Sequence, residues 1–230
     1  MKKIILTLLI FGTTLSSFAQ YRVNAGASIG ADAAMFSIGA EREFNVINEK
    51  FHINPGVRLS VYNGSNLDYI TAPAKYTVND NQVDTLRFKT VQDNFANLYV
   101  RIGYDVSDKF SVSFDIDVVG VSFGGEQKNN VFSSGTELTA NPPTGGIATQ
   151  SNAKPTSLNV LLVGDNDLGS LNSTLNISYD ITKRLGVDLG GGLIFTEYTA
   201  NSEIGYDAND RFRNKNFMGY LGISYLIGDK

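Results

Sequence analysis

The chain has 230 residues, a formal net charge of −4 and no cysteine. The acidic balance argues against nucleic acid as a partner, and the missing thiols exclude disulfides, thiolate metal sites, a cysteine nucleophile and a lipid-modified N-terminal cysteine. A length of this order suits one all-β domain, and no shift in composition marks a second.

The first element is a targeting segment. Lys2 and Lys3 form a basic start, Ile4 to Ile10 open an apolar run, and Ser17-Phe18-Ala19 places small residues at the two positions a signal peptidase reads. Residues 1–19 are therefore expected to be a cleaved signal peptide and 20–230 a single β-barrel. An uncleaved helical span is disfavoured because Gly12, Thr13 and Thr14 interrupt the run short of the roughly 20 apolar residues it needs. Loss of Lys2 and Lys3 takes the net charge from −4 to −6. Nothing after residue 20 is apolar enough for long enough to cross a membrane as a helix, so any crossing must use strands.

Period-two alternation bounded by turn residues predicts eight strands, near 21–30, 36–45, 51–63, 95–106, 110–124, 170–181, 185–199 and 216–228. The sixth is the clearest: Leu171, Ser173, Leu175, Ile177, Tyr179 and Ile181 share one face, and Asn172, Thr174, Asn176, Ser178 and Asp180 the other. In the fifth, Phe110 to Val118 keep one phase and Val119, Val121 and Phe123 take the other, which requires a bulge near Val118 and Val119. Gly190-Gly191-Gly192 in the seventh allows tight coiling of the sheet.

The connections alternate in length. Short polar links fall at 46–50, 107–109 and 182–184, and longer ones at 64–94, 125–169 and 200–215; the first hairpin, around 31–35, is short where a long one is expected. Within the long links, Pro142-Pro143-Thr144-Gly145-Gly146 and Pro155 mark 138–157 as flexible and polar. Tyr76, Val78, Leu86, Phe88 and Val91 suggest a hairpin that continues above the membrane and turns at Asn79 to Asn81. Together these features predict an all-β fold, an eight-stranded antiparallel up-and-down transmembrane β-barrel with both termini on the short-turn side.

Alternation alone does not separate a membrane barrel from a soluble one, because both have an apolar and a polar face. Charges decide first: Arg22, Glu41, Glu43, Arg58, Arg101, Asp105, Asp115, Asp117, Asp180 and Asp188 all take the polar phase, and only Arg42 and Glu197, near strand ends, take the apolar one. A lipid-facing charge at mid-bilayer would cost about 2–4 kcal/mol. Aromatic residues decide second. Tyr21, Phe44, Phe51, Tyr104, Phe110, Tyr179 and Tyr225 gather on the apolar phase beside the short turns, and Phe36, Phe123, Phe195 and Phe217 form a looser set at the other end. Two such levels are expected at two membrane interfaces. The alternative is a soluble exported barrel with these rings in its core and an apolar ligand inside.

The signal peptide, the eight strands, the loop asymmetry and the last strand together resemble the small outer-membrane barrel proteins of the OmpA and OmpX type, the porin-family barrel domains, over essentially the whole mature chain. In such proteins the last strand carries glycine, two residues, an aromatic, one residue and a terminal aromatic. Gly222-Ile223-Ser224-Tyr225-Leu226-Ile227 matches up to Ile227, which stands where the second aromatic would, and Gly228-Asp229-Lys230 follow it. The resemblance implies the bacterial outer membrane, outer-membrane lipid as the surroundings, and no enzyme.

An eight-stranded barrel is just wide enough to be filled by side chains. Arg22, Arg58 and Arg101 facing Glu41, Glu43, Asp115, Asp117 and Asp188 are expected to fill it as a structural charge network. The acids outnumber the arginines, which leaves open a small cation-leaning pore or transport accessory. His52, the only histidine, points inward near the short-turn end, away from where lipid-modifying barrels place a catalytic histidine. Asp165-Asn166-Asp167-Leu168-Gly169 and Asp207-Ala208-Asn209-Asp210 loosely resemble calcium loops but have no closing glutamate, and read as solvated turns. No cofactor or metal is expected. A monomer is expected, with loops 64–94 and 125–169 as the surfaces for envelope or surface proteins.

Overall fold

Alternation of polar and apolar side chains puts every second residue on one face, and eight such segments curl until the last pairs with the first. In the computed structural model, which describes residues 20–47, 50–79, 83–134, 149–162 and 166–228, the strands are β1 (Gln20–Gly30), β2 (Ala33–Glu43), β3 (Asn45–Ile47), β4 (Phe51–Thr71), β5 (Thr85–Asp105), β6 (Phe110–Phe123), β7 (Gln127–Ser133), β8 (Thr149–Pro155), β9 (Leu158–Val160), β10 (Leu171–Asp180), β11 (Leu185–Ala200) and β12 (Arg211–Ile227). The expected signal peptide at 1–19 lies outside the described residues.

Eight of them, β1, β2, β4, β5, β6, β10, β11 and β12, form a closed antiparallel ring in which each pairs with the next in chain order and β12 returns to β1 from Tyr21↔Ile227 to Gly30↔Met218. The fold is thus an all-β, up-and-down, eight-stranded barrel. The phase change in β6 is met by a bulge: Leu98 pairs Val119 and Tyr99 pairs Asp117, leaving Val118 without a partner on β5. On β11, a Cβ on Gly190 or Gly192 would collide with the β10 backbone at Leu175 and Ser173, so that close approach requires glycine.

Above this ring the sequence expectation needs correction. The third strand does not end at 63, nor does the fourth begin at 95; β4 and β5 each run 21 residues and stay paired to Ile70↔Thr85. Tyr76 falls in a 3-10 turn (Ala74–Thr77) and Val78 follows it, so the rising arm is 64–71 rather than the 75–79 stretch. Asn79 is the last residue described before the expected turn. The segment 125–169 is not one long loop either: β7 and β8 form a hairpin within it and β9 pairs β6. Of the expected flexible stretch 138–157, residues 149–155 are a strand, and 138–148 lie outside the described residues.

These extensions close a second ring. Upper β4 pairs upper β5, β5 pairs β7, β7 pairs β8, β8 pairs β11, β11 pairs the start of β12, and Phe212 and Arg213 of β12 return to Thr71 and Ile70 of β4. Six strands therefore stack on eight. The β1–β2 hairpin drops out at Gly30↔Ala33, and the β7–β8 hairpin takes the place of β6 and β10. At the junction both β4 and β5 change inward phase, between Tyr62 and Leu67 and between Phe88 and Val91, while remaining in register. Asn66 takes a left-handed φ of 55° there, a conformation asparagine tolerates better than most residues.

A six-stranded ring is narrower than an eight-stranded one and is filled by large apolar side chains. Tyr69, Phe88 and Tyr198 meet with ring centroids 4.7 to 5.4 Å apart, Phe132 packs edge-on to Phe212, and Leu67, Leu86, Ile194 and Met218 complete the core. The apolar core of the molecule lies in this head and at its junction with the lower barrel. The lower barrel has the reverse polarity, with polar side chains inside.

Candidate functional site

The lower lumen is built from inward residues at every second position. Arg101 on β5 forms a two-pronged pair with Asp115 on β6, with Nε 2.8 Å from Oδ1 and Nη2 3.0 Å from Oδ2, and its Nη1 lies 3.4 Å from Glu41. Arg58 on β4 pairs with Asp117, stands 3.6 Å from Asp115 and lies over the Tyr99 ring at 4.6 Å. Glu41 is a hub: the Tyr99 hydroxyl donates to it at 2.6 Å, the Asn54 amide at 3.2 Å, and Arg22 Nε approaches to 4.0 Å. Arg22 also bonds Glu43 at 3.3 Å and stands 4.0 Å from Asp180 at the lower mouth.

The structure therefore brings Arg22, Glu41, Glu43, Arg58, Arg101, Asp115 and Asp117 into one network across β1, β2, β4, β5 and β6. Asp188 is not part of it. On β11 it accepts the Ser178 hydroxyl, and among the described residues no ion pair reaches it. The expectation that it faces an arginine is corrected by geometry: Arg58 and Arg101 are engaged by Asp115, Asp117 and Glu41, and Arg22 by Glu41, Glu43 and Asp180.

Several members of the network are neutral and escaped the charge pattern. Tyr99 holds Glu41 and accepts from Asn24 at 3.0 Å; Asn97 donates to Asp117 at 2.8 Å; the Asn172 backbone N–H donates to Asp117 at 3.0 Å. Tyr99, Asn97 and Asn24 sit in the inward phase of their strands, and that phase was the signal available for them. Asn159 had none. It enters from the segment after β8 and donates to Asn97 at 2.8 Å while accepting from Ser122 and the Ser170 N–H.

His52 lies at the lower mouth, a cavity of about 580 Å³ lined also by Arg22, Glu43, Lys50, Asp105 and Asp180. Its Nδ1 is 3.9 Å from Asp105 and makes no hydrogen bond, and its ring lies over Gly103, where a Cβ would collide with it. Among the described residues no serine or threonine hydroxyl is within bonding distance of that nitrogen.

The exterior of the lower barrel is apolar. Val23, Ile38, Val57, Leu59, Leu98, Ile102, Phe114, Leu175, Ile177, Leu189, Leu221 and Ile223 point outward and are all exposed. Tyr21, Phe44, Phe51, Tyr104, Phe110, Tyr179 and Tyr225 ring the lower end; Phe51 pairs Tyr104 in the ladder, Phe110 stacks on Tyr179 at 4.9 Å, and Arg42 lies over Phe44 at 4.7 Å. Phe36, Phe123 and Phe217 stand exposed at the upper end, and Phe195 is flanked by Arg213 and Lys215. From Phe51 to Val61, the ladder partner of Phe36, ten residues at about 3.3 Å each, tilted by about 40°, rise about 25 Å. Among the described residues Arg42 is the one charged residue in the outward phase between these levels, two positions above Phe44 on β2, and its guanidinium lies back over the Phe44 ring.

Glu197 does take the outward phase, but above the upper level and fully buried. Arg211 reaches it at 2.8 Å and Arg213 at 2.7 Å, and both arginines also donate to the Asp167 carbonyl. In the head, burial pushes the Tyr69 phenol well above its ordinary pKa, so it remains a neutral partner of Thr196 at 2.7 Å. Of the two calcium-like segments, Asp165 lies outside the described residues, and Asp207 is exposed within a short 3-10 turn (Tyr206–Ala208).

No protein-family model and no curated protein matches the chain. Among solved structures, the attachment invasion locus protein Ail of Yersinia pestis is similar over 91% of this chain and 98% of its own, at 8% identity and a TM-score of 0.38. Neisserial surface protein A is similar over 90% of this chain and 94% of its own, at 8% identity and a TM-score of 0.35. The toluene transporter TodX of Pseudomonas putida covers 91% and 89%, at 7% identity and a TM-score of 0.26. Likenesses this distant assign the chain to no family.

Proposed function

We propose that the chain is an exported, non-enzymatic β-barrel of the bacterial outer membrane, with a plugged polar lumen and a six-stranded head that makes its outward contacts. The observation that carries this reading is the inversion of polarity in the lower barrel. Ion pairs fill its inside, and its outside is apolar over a band about 25 Å high between two aromatic levels, the height a membrane barrel presents to lipid, with Arg42 beside the lower level its one charge. A soluble barrel binding an apolar ligand would need the opposite arrangement. The plug is supported twice over, by the charge network below and by the aromatic core of the head above. The same two layers argue against a small-solute pore. Contact with envelope or surface proteins falls to segments 64–94 and 125–169, because these build the head.

The test uses the mature chain in membranes. It should stay in the pellet through an alkaline carbonate wash and show a heat-dependent shift in gel mobility; release by carbonate without a shift would overturn the membrane reading. In planar bilayers it should show no conductance steps, and reproducible steps would overturn the plug alone.

A further inference from the structure

The ion pairs of the lumen leave a buried carboxylate out: among the described residues, none reaches Asp188. Arg22, Arg58 and Arg101 stand on β1, β4 and β5, whereas Asp188 is on β11 and only 1% exposed. Ser178 satisfies one of its oxygens; Oδ2 has no hydrogen-bond partner. Neighbouring strands bring further oxygens in the same condition. Asn176 on β10, 1% exposed, has neither amide atom bonded, and Ser113 on β6, directly opposite Asn176 in the ladder, has an unbonded hydroxyl at 3% exposure.

Asn176 is also opposite Gly190, against whose bare face its Oδ1 lies, and Asp188 is opposite Gly222. The Tyr220 hydroxyl lies over Gly222, next to Asp188. The 580 Å³ mouth cavity reaches Ser113 and Ser178, which opens a route from solvent to this sector.

A buried carboxylate is retained only if something neutralises it, and buried oxygens left unbonded cost free energy unless a ligand satisfies them. The donors here are all oxygens, which suit a hard cation rather than a transition metal. One carboxylate among neutral oxygens balances a single positive charge. We propose that Asp188 Oδ2, Asn176 Oδ1 and Ser113 Oγ hold a monovalent cation, sodium or potassium, which enters the lumen through the lower mouth. The site balances a buried lumen carboxylate that, among the described residues, no arginine pairs with. It depends on the barrel interior alone and stands whether or not the exterior meets lipid.

The experiment measures the heat-unfolding midpoint of the full mature chain in detergent, in sodium chloride, potassium chloride or N-methylglucamine chloride at one ionic strength. A ligand bound only by the folded state raises the midpoint with the logarithm of its concentration, by about 3–6 °C per tenfold increase for a chain of this size. Sodium or potassium should do so and the bulky organic cation should not. Asp188→Asn should abolish the dependence. Ser113→Ala, which removes a neutral ligand and leaves the charge, should move the onset to higher cation concentration. Equal midpoints in all three salts would overturn the proposal. A dependence that survives in Asp188→Asn or is unmoved in Ser113→Ala would overturn it as well, by placing the cation elsewhere.

Discussion

Replacing Arg101 with methionine tests the lumen network where it is most tightly coupled. The side chain is 5% exposed and holds two carboxylates, Asp115 through two hydrogen bonds and Glu41 at 3.4 Å. Methionine fills similar space and removes the charge. Breaking a buried pair from one side costs about 3–5 kcal/mol, because the abandoned carboxylate stays desolvated. The lower end applies here: Asp115 keeps Arg58 at 3.6 Å, and Glu41 keeps Tyr99, Asn54 and Arg22. A loss of about 3 kcal/mol in a barrel of roughly 200 residues lowers the unfolding midpoint by about 6–12 °C. Equilibrium urea unfolding in lipid vesicles, followed by the gel-mobility shift, measures it. Adding Asp115→Asn to Arg101→Met removes one stranded charge and should cost less than the sum of the two single losses, with a coupling of about 1–3 kcal/mol. An unchanged midpoint in Arg101→Met, or strict additivity in the double variant, would refute the claim that these charges hold the barrel together.

Three further outcomes probe the exterior and the head. Leu221, 59% exposed and midway between Phe217 and Tyr225, should cost about 2–4 kcal/mol when replaced by lysine, read as lost folding yield into bilayers; in a water-exposed barrel the change would be nearly neutral. Phe88 lies between Tyr69 and Tyr198 with no exposure, so Phe88→Ala should cost about 3–5 kcal/mol in urea unfolding and expose the head to limited proteolysis; a loss below about 1 kcal/mol would show that the head adds little. Arg87 makes a two-pronged pair with Asp68 at 2.6 Å, but both side chains are largely in water, so Arg87→Ala should change stability by no more than about 1 kcal/mol despite its good geometry.

Much of the lower barrel was legible before any coordinates, because it rests on a local property. A strand turns successive side chains to opposite faces, so the phase of Leu175, Ile177 and Tyr179 against Asn176 and Ser178 assigns inside and outside with no knowledge of neighbours. The bulge at Val118 followed from the same rule. The aromatic level beside the short turns did too, since turn positions and phase together place Tyr21, Phe51, Tyr104, Phe110, Tyr179 and Tyr225.

The remainder depends on which segments meet, and phase does not encode that. The head was missed because its closure joins strands distant in sequence: Phe212 pairs Thr71, and Tyr198 pairs Pro155. The change of inward phase at Asn66 also disguised β4 and β5 as ending where they only change face. Likewise, phase put Asp188 inside but not beside a cation. Only the closed ring decides which carboxylates the arginines of β1, β4 and β5 pair with, and only the ring leaves Asp188 with the unbonded oxygens of Asn176 and Ser113 for company. Composition and alternation determined that this chain is an eight-stranded barrel with its charges within; long-range strand pairing decided what seals it and where its charge is left unbalanced.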